Sequence, residues 1–290
     1  MCCCDLRHGA VDQILRGYCR EETRFAYSGL FQAYHIDCDE IDIVSALLAV
    51  QLHSVSRWIS PGHLRGDEMP KLILSQPSAD MDMMAAFVKA GWSDVMLDLE
   101  HSLHGEADVK RALVAVEHAG GTLHVKMADR DPDACGRLFF QGVRSFIIPQ
   151  VEDAATINAV HDELTRYDFL DTAEIQLSAL VESGAAVERI PDICAVQGLT
   201  AVHVGLIDLA LDLGFEYRGR AHFETLGPRL APHLLDALDT IRACGKAAGC
   251  ALLPGWFATF PLERLDQVTV PLGDLLGFAH AAAVKGRFTQ

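Results

Sequence analysis

The segment Val95-Met96-Leu97-Asp98-Leu99-Glu100-His101 is an apolar run that ends on two acids and a histidine. Burying that trio together would cost several kcal/mol unless each group were paired or bound to something. Two later apolar runs finish in the same way, 176–181 on Glu182 and 201–207 on Asp208. In a parallel barrel or sheet such strand ends share one face, so Glu182 and Asp208 can approach within a few ångströms of each other. Neither segment carries a Lys or Arg, and two facing carboxylates repel unless a proton or a cation lies between them. A hard divalent cation held by two protein oxygens, with water and substrate completing its shell, answers that demand.

The elements that must position these residues follow from hydrophobic periodicity. From Pro70 onward, short apolar runs alternate eight times with amphipathic stretches. Strands are expected at 71–74, 95–99, 122–127, 145–148, 176–181, 201–204, 248–252 and 267–270. Helices are expected at 81–90, 106–119, 133–141, 153–164, 185–194 and 230–243. Eight strand–helix pairs predict an α/β fold, a (β/α)8 barrel of the TIM type, which typically takes roughly 250 residues. Gly120-Gly121, Gly142 and Gly245 each stand just before a strand, where a helix stop belongs. Residues 1–69 do not join this rhythm. A helix is expected at 41–52 and a linker at 60–67, so 1–69 reads as an N-terminal helical extension and 70–290 as the barrel domain.

Composition narrows the function. The chain has 290 residues, half of them hydrophobic, and 24 basic against 40 acidic residues give a net charge of −16. That balance repels polyanions, which excludes nucleic acid and anionic membrane surfaces and favours a small-molecule role. No apolar run approaches the roughly 18 residues of a membrane span. The first twenty residues carry Asp5, Arg7, His8, Asp12 and Arg16 in place of a signal-peptide core, so a cytoplasmic location is expected. Cys135, Cys194, Cys244 and Cys250 have no paired spacing and read mostly as small buried hydrophobes, and Cys2-Cys3-Cys4 as a tail without function.

The block Ala90-Gly91-Trp92-Ser93-Asp94-Val95-Met96-Leu97-Asp98-Leu99-Glu100-His101 resembles the signature of the HpcH/HpaI aldolases, metal-dependent class II pyruvate aldolases. Asp131-Pro132, the stretch 142–149, Val181-Glu182, Gly205-Leu206-Ile207-Asp208-Leu209 and Gly245-Lys246-Ala247-Ala248-Gly249 fall in family order. The resemblance implies a carbon–carbon lyase acting on a 2-oxo acid through a pyruvate-type enolate. It implies that Glu182 and Asp208 hold Mg²⁺, Mn²⁺ or Co²⁺, and that His101 is the general acid/base. Asp98 and Glu100 would orient the histidine and the metal's water, while the backbone around Gly205, Leu206 and Ile207 would hold the substrate carboxylate. It also implies a homo-oligomer, trimer or hexamer, in which the last helix, 274–284, is sometimes exchanged. The alternatives are a divergent metal-enolate decarboxylase or condensing enzyme, and a non-catalytic barrel kept for assembly.

Several positions depart from the family pattern. Lys126 stands where the family has an Arg that steadies the enolate, and an ammonium cannot make the planar two-pronged contact of a guanidinium. Arg130 is the candidate to reach the substrate in its place. Phe140 replaces the Asp that pairs with the histidine, so His101 is expected to lack its orienting partner. Leu180 replaces a Gln of the substrate site, and the loop 165–174 is short. His203 is expected to be a hydrogen-bonded interior histidine, and His104 a solvent-exposed loop residue. Gly255-Trp256-Phe257 would line the mouth or pack as apolar filling. His101 can face the substrate only if the strand has ended by Glu100, because alternation otherwise turns it to the opposite face.

Overall fold

The computed structural model describes residues 70–76, 80–89, 91–166, 174–217, 223–251 and 260–272. Eight parallel strands form a closed barrel in sequence order: β1 (Lys71–Gln76), β2 (Asp94–Asp98), β3 (Thr122–Lys126), β4 (Ser145–Ile148), β5 (Gln176–Val181), β6 (Leu199–Val204), β7 (Ala247–Ala251) and β8 (Gln267–Pro271). Pairing of Lys71–Ser75 with Gln267–Pro271 closes the ring. Around it run α1 (Met81–Lys89), α2 (Glu106–His118), α3 (Pro132–Phe140), α4 (Ala154–Thr165), α5 (Gly184–Glu188), α6 (Ile190–Cys194), α7 (Leu206–Asp212) and α8 (Phe223–Ala243). The expected barrel is therefore the observed one. The positions 2–4, 41–52, 60–67, 255–257 and 274–284, and most of the loop 165–174, lie outside the described residues.

Three helices differ from expectation for local reasons. The stretch 185–194 is two helices, broken at Arg189, because Pro191 has no N–H to donate and disfavours a continuous turn. α8 begins seven residues earlier than expected and runs through Pro228 and Pro232. Leu226, Leu230, Leu234, Leu238 and Ile241 recur at helical spacing and are fully or nearly fully buried, and that burial outweighs the two missing backbone donors. α7 is a short additional helix, capped by Gly205.

Strand alternation sorts side chains into two sets. Leu74, Val95, Leu97, Val125, Phe146, Ile148, Val181 and Val204 face the helices in one continuous core. Inside the barrel, Ile73, Met96, Ile147 and Leu180 form a thin apolar layer. Polar residues of the same strands lie on either side of this layer, one group toward the strand starts and one toward the strand ends.

Candidate active site

β2 ends at Asp98, and the chain bends through 99–103. The Asp98 side chain causes the turn: its Oδ1 accepts the N–H groups of Glu100 at 2.8 Å and His101 at 3.0 Å, while Ser102 Oγ donates to the Asp98 carbonyl. The strand has thus ended before His101, the condition set above for the histidine to face a substrate. His101 Nδ1 then lies 3.0 Å from Asp98 Oδ2. An ionised carboxylate only accepts, so Nδ1 carries the proton and Nε2 is left as the basic nitrogen.

His101 is not left without a carboxylate partner, although position 140 offers none, because a residue expected to orient the histidine does pair with it. That residue is Asp98, three positions earlier. Phe140 is half-exposed at the end of α3 that leads into β4, the opposite end of the barrel from His101, so the exchange at position 140 does not touch the histidine within one subunit. Burial alone would raise the Asp98 carboxyl, but the Lys126 charge and the His101 hydrogen bonds outweigh it and hold it below its ordinary range.

Lys126 is buried at the end of β3, in register beside Asp98. Its Nζ is 2.6 Å from Glu100 Oε2 and 3.6 Å from Asp98 Oδ2. The Glu100 contact is an ion pair off the hydrogen-bonding direction, since that oxygen has no hydrogen-bond partner. Nζ also lies 3.4 Å from His101 Nδ1, but both nitrogens are donors there and no bond forms. Ligand atoms of Asp98, Glu100 and His101 lie within 4.8 Å of one another, close enough for a metal. The Lys126 ammonium already serves as the cation for that cluster.

Glu182 follows β5, and its Oε2 accepts the Gln150 N–H at 2.8 Å. Glycine at position 205 leaves the Glu182 side chain in place: a Cβ there would fall 2.6 Å from Glu182 Cγ and displace it. Gly205 also starts α7, which places Asp208 in the first helical turn beside Glu182, and the far end of α7 is pinned where Asp212 Oδ2 accepts the Gly184 N–H at 2.7 Å. Burial pushes the Glu182 carboxyl up to about 7; the Gln150 N–H and Lys126 oppose this, and the charges of Asp208 and Glu100 add to it. Lys126 thus acts on Glu182 from another strand, although neither acidic segment has a cation of its own. Carboxylate oxygens are hard donors, and an acid whose carboxyl is raised by burial and, to a lesser degree, by two acidic neighbours is short of positive charge, so Glu182 and Asp208 fit a hard divalent cation.

The other expected site residues divide. Ile207 and Asp208 are exposed, and the Leu206 side chain is buried beneath them. Arg130 Nη1 donates to the Gln150 carbonyl at 2.8 Å, so it braces the peptide next to Glu182. Leu180 belongs to the apolar layer with Ile73, Met96 and Ile147 and forms the floor beneath the acids. His104 is half-buried, with Nδ1 3.8 Å from Asp108 Oδ2, not solvent-exposed as expected. Sequence reasoning missed Gln150 altogether.

At the strand starts lies a second polar group. Lys71 Nζ is 2.7 Å from Asp94 Oδ1, His124 Nε2 is 2.8 Å from the same oxygen, and Ser145 Oγ is 2.7 Å from His124 Nδ1. The order Ser–His–Asp is that of a nucleophilic triad, but all three residues are buried and the apolar layer separates them from the mouth. His203 bonds Gln267 Oε1 at 2.9 Å, as an interior histidine should, and burial pushes its pKa down to about 4. Gly249 makes room for its ring.

An eight-stranded parallel barrel with acids and a histidine gathered at the strand ends has the architecture of a barrel enzyme. A family model described as HpcH/HpaI aldolase/citrate lyase matches residues 71–261. The chain belongs to that family and is a carbon–carbon lyase. It is 29% identical over 184 residues to a hydroxypyruvate/pyruvate aldolase of Cupriavidus necator, a match spanning 55% of this chain and 66% of that one. It is 28% identical over 224 residues to a 4-hydroxy-2-oxo-heptane-1,7-dioate aldolase of Shigella sonnei, spanning 69% and 83%. A crystal structure of an HpcH/HpaI aldolase from Desulfitobacterium hafniense has the same fold, with a TM-score of 0.62, 21% identity and coverage of 76% and 93%.

Proposed function

We propose that this lyase breaks or makes the carbon–carbon bond of a 2-oxo acid through a pyruvate-type enolate, with Mg²⁺, Mn²⁺ or Co²⁺ held by Glu182 and Asp208. One observation carries it: Glu182 and Asp208 stand at the same barrel mouth as a histidine whose tautomer Asp98 has fixed. A cation between the two carboxylates would supply Lewis-acid stabilisation of the enolate charge. His101 Nε2 takes the proton of the 4-hydroxyl during cleavage and returns it during addition, and Asp98 stabilises the imidazolium that forms. Lys126 helps hold the Asp98 carboxyl low, pairs with Glu100 and adds positive potential beside the enolate. The N–H groups at the start of α7, around Leu206 and Ile207, face the substrate carboxylate. The named substrates of the Cupriavidus and Shigella relatives support the 2-oxo acid class. A cytoplasmic homo-oligomer, trimer or hexamer, completes the proposal, on the family resemblance and the acidic charge.

Two assays test it. Oxaloacetate decarboxylation should need the divalent cation, and pyruvate with an added small aldehyde should give a 4-hydroxy-2-oxo acid. Decarboxylation without aldol product would favour the divergent decarboxylase. No cation-dependent turnover of either kind would contradict the lyase function.

A further inference from the structure

Gln150 makes three contacts at the centre of the mouth. Its N–H donates to Glu182 Oε2 at 2.8 Å, its side-chain Nε2 donates to Glu100 Oε1 at 2.8 Å, and its carbonyl accepts from Arg130 Nη1 at 2.8 Å. It is also the one non-glycine residue with positive φ among the described residues, at 50°. A side chain with a Cβ pays about 1–2 kcal/mol to sit in that region. Local sequence offers no reason for it, since Pro149 and Val151 are ordinary buried neighbours.

The strain has a geometric use. In an extended or right-handed conformation the N–H and the side chain of Gln150 would point in different directions from those observed, and one of the two acids would lose its donor. The left-handed turn lets one residue reach both. Glu182 belongs to the proposed cation site, and Glu100 to the cluster containing Lys126 and His101. We infer that Gln150 is a positioning residue that couples these two halves, holding the cation-binding carboxylate and the proton-transfer cluster in one fixed relation. The inference rests on the proposed lyase function for its catalytic consequence, and on geometry alone for the coupling.

Three variants and two readouts test it. Gln150→Gly keeps the N–H and the permitted φ but deletes the amide. Gln150→Met keeps the length without the amide. Gln150→Asn tolerates positive φ better than Gln but is too short to reach Glu100. The first readout is deuterium exchange into the pyruvate methyl group, with Mn²⁺ affinity measured by electron paramagnetic resonance. All three variants should lose about tenfold or more in kcat, the worth of a hydrogen bond to a charged group, with KM and Mn²⁺ affinity close to those of the wild type. The second readout is the Gln150 side-chain amide resonance, assigned by its absence from the Gln150→Met spectrum. It should move when Mg²⁺ is added, and the movement should vanish in Glu182→Gln. A fully active Gln150→Asn would overturn the inference, because backbone tolerance would then be all that position 150 requires. An amide resonance blind to Mg²⁺ in a protein that binds Mn²⁺ would also overturn it. An amide that responds to Mg²⁺ in a protein that exchanges no pyruvate protons would support the coupling and contradict the lyase function.

Discussion

The same two strands build both ends of the barrel interior. β2 supplies Asp94 at its start and Asp98 at its end, and β3 supplies His124 and then Lys126 two residues later. At the base, Asp94 receives His124, Lys71 and Ser93, and hydrogen bonds beat the burial cost so that its carboxyl falls to about 2. At the mouth, burial outweighs the Gln150 N–H and the Lys126 charge, two acidic neighbours add to it, and the Glu182 carboxyl rises to about 7. Two buried carboxylates thus behave oppositely because hydrogen bonds and the Lys71 charge overcome the burial cost at one end, whereas burial prevails at the other. A polar group that is fully paired is inert and rigid. One with a carboxyl raised by burial, a strained neighbour and an uncommitted ring nitrogen suits the cation binding and proton transfer proposed for the mouth.

The sharpest way to separate the two ends is to remove one histidine from each. His101→Ala should cost on the order of 10²–10⁴ in rate, with cation affinity nearly intact and unfolding changed by no more than about 0.5 kcal/mol. His124→Ala should do the reverse, destabilising by about 3–5 kcal/mol because Asp94 is left buried with fewer partners, while activity per folded molecule holds. Urea unfolding beside initial rates measures both. A loss of rate below about tenfold in His101→Ala would transfer the proton step to another group.

Acid should expose the next largest difference. Asp94 is depressed from 3.8 to about 2 in the folded protein, so its contribution is present above the unfolded value and lost as pH falls through the folded one. About 2 kcal/mol of stability should disappear between pH 5 and pH 2. The stability gap between wild type and Asp94→Asn should narrow by that amount over the same interval. Glu182 runs the other way. A proton competes with the cation below about pH 7, so Mn²⁺ affinity should fall by up to tenfold for each unit of pH below 7 and level off above it. A flat profile from pH 5 to 8 would mean that Glu182 is not a ligand.

Much of this contrast could be read from sequence. Apolar runs ending on Asp98, Glu182 and Asp208 located the mouth, and their alternation with amphipathic helices gave the barrel. His203 was legible as an interior histidine because valines flank it in mid-strand. What could not be read depends on three-dimensional approach. Asp98-x-x-His101 becomes a pair only because the Asp98 side chain folds the next three residues back on itself. Lys126 reaches two acids by lying on the neighbouring strand in register with Asp98. Gln150 has no sequence signal at all, since nothing in Pro149-Gln150-Val151 announces a left-handed backbone. The chain Asp94–His124–Ser145 is invisible for the same reason, its members lying on three different strands.

Deuterium incorporation into the methyl group of pyruvate, followed with and without Mn²⁺ in wild type and in Glu182→Gln, examines the mouth most directly. Exchange should occur in the wild type only when the cation is present, and should vanish in Glu182→Gln while the fold, followed by circular dichroism, persists. Exchange that proceeds without a cation, or that survives the loss of the Glu182 charge, would contradict a cation-assisted enolate at this site.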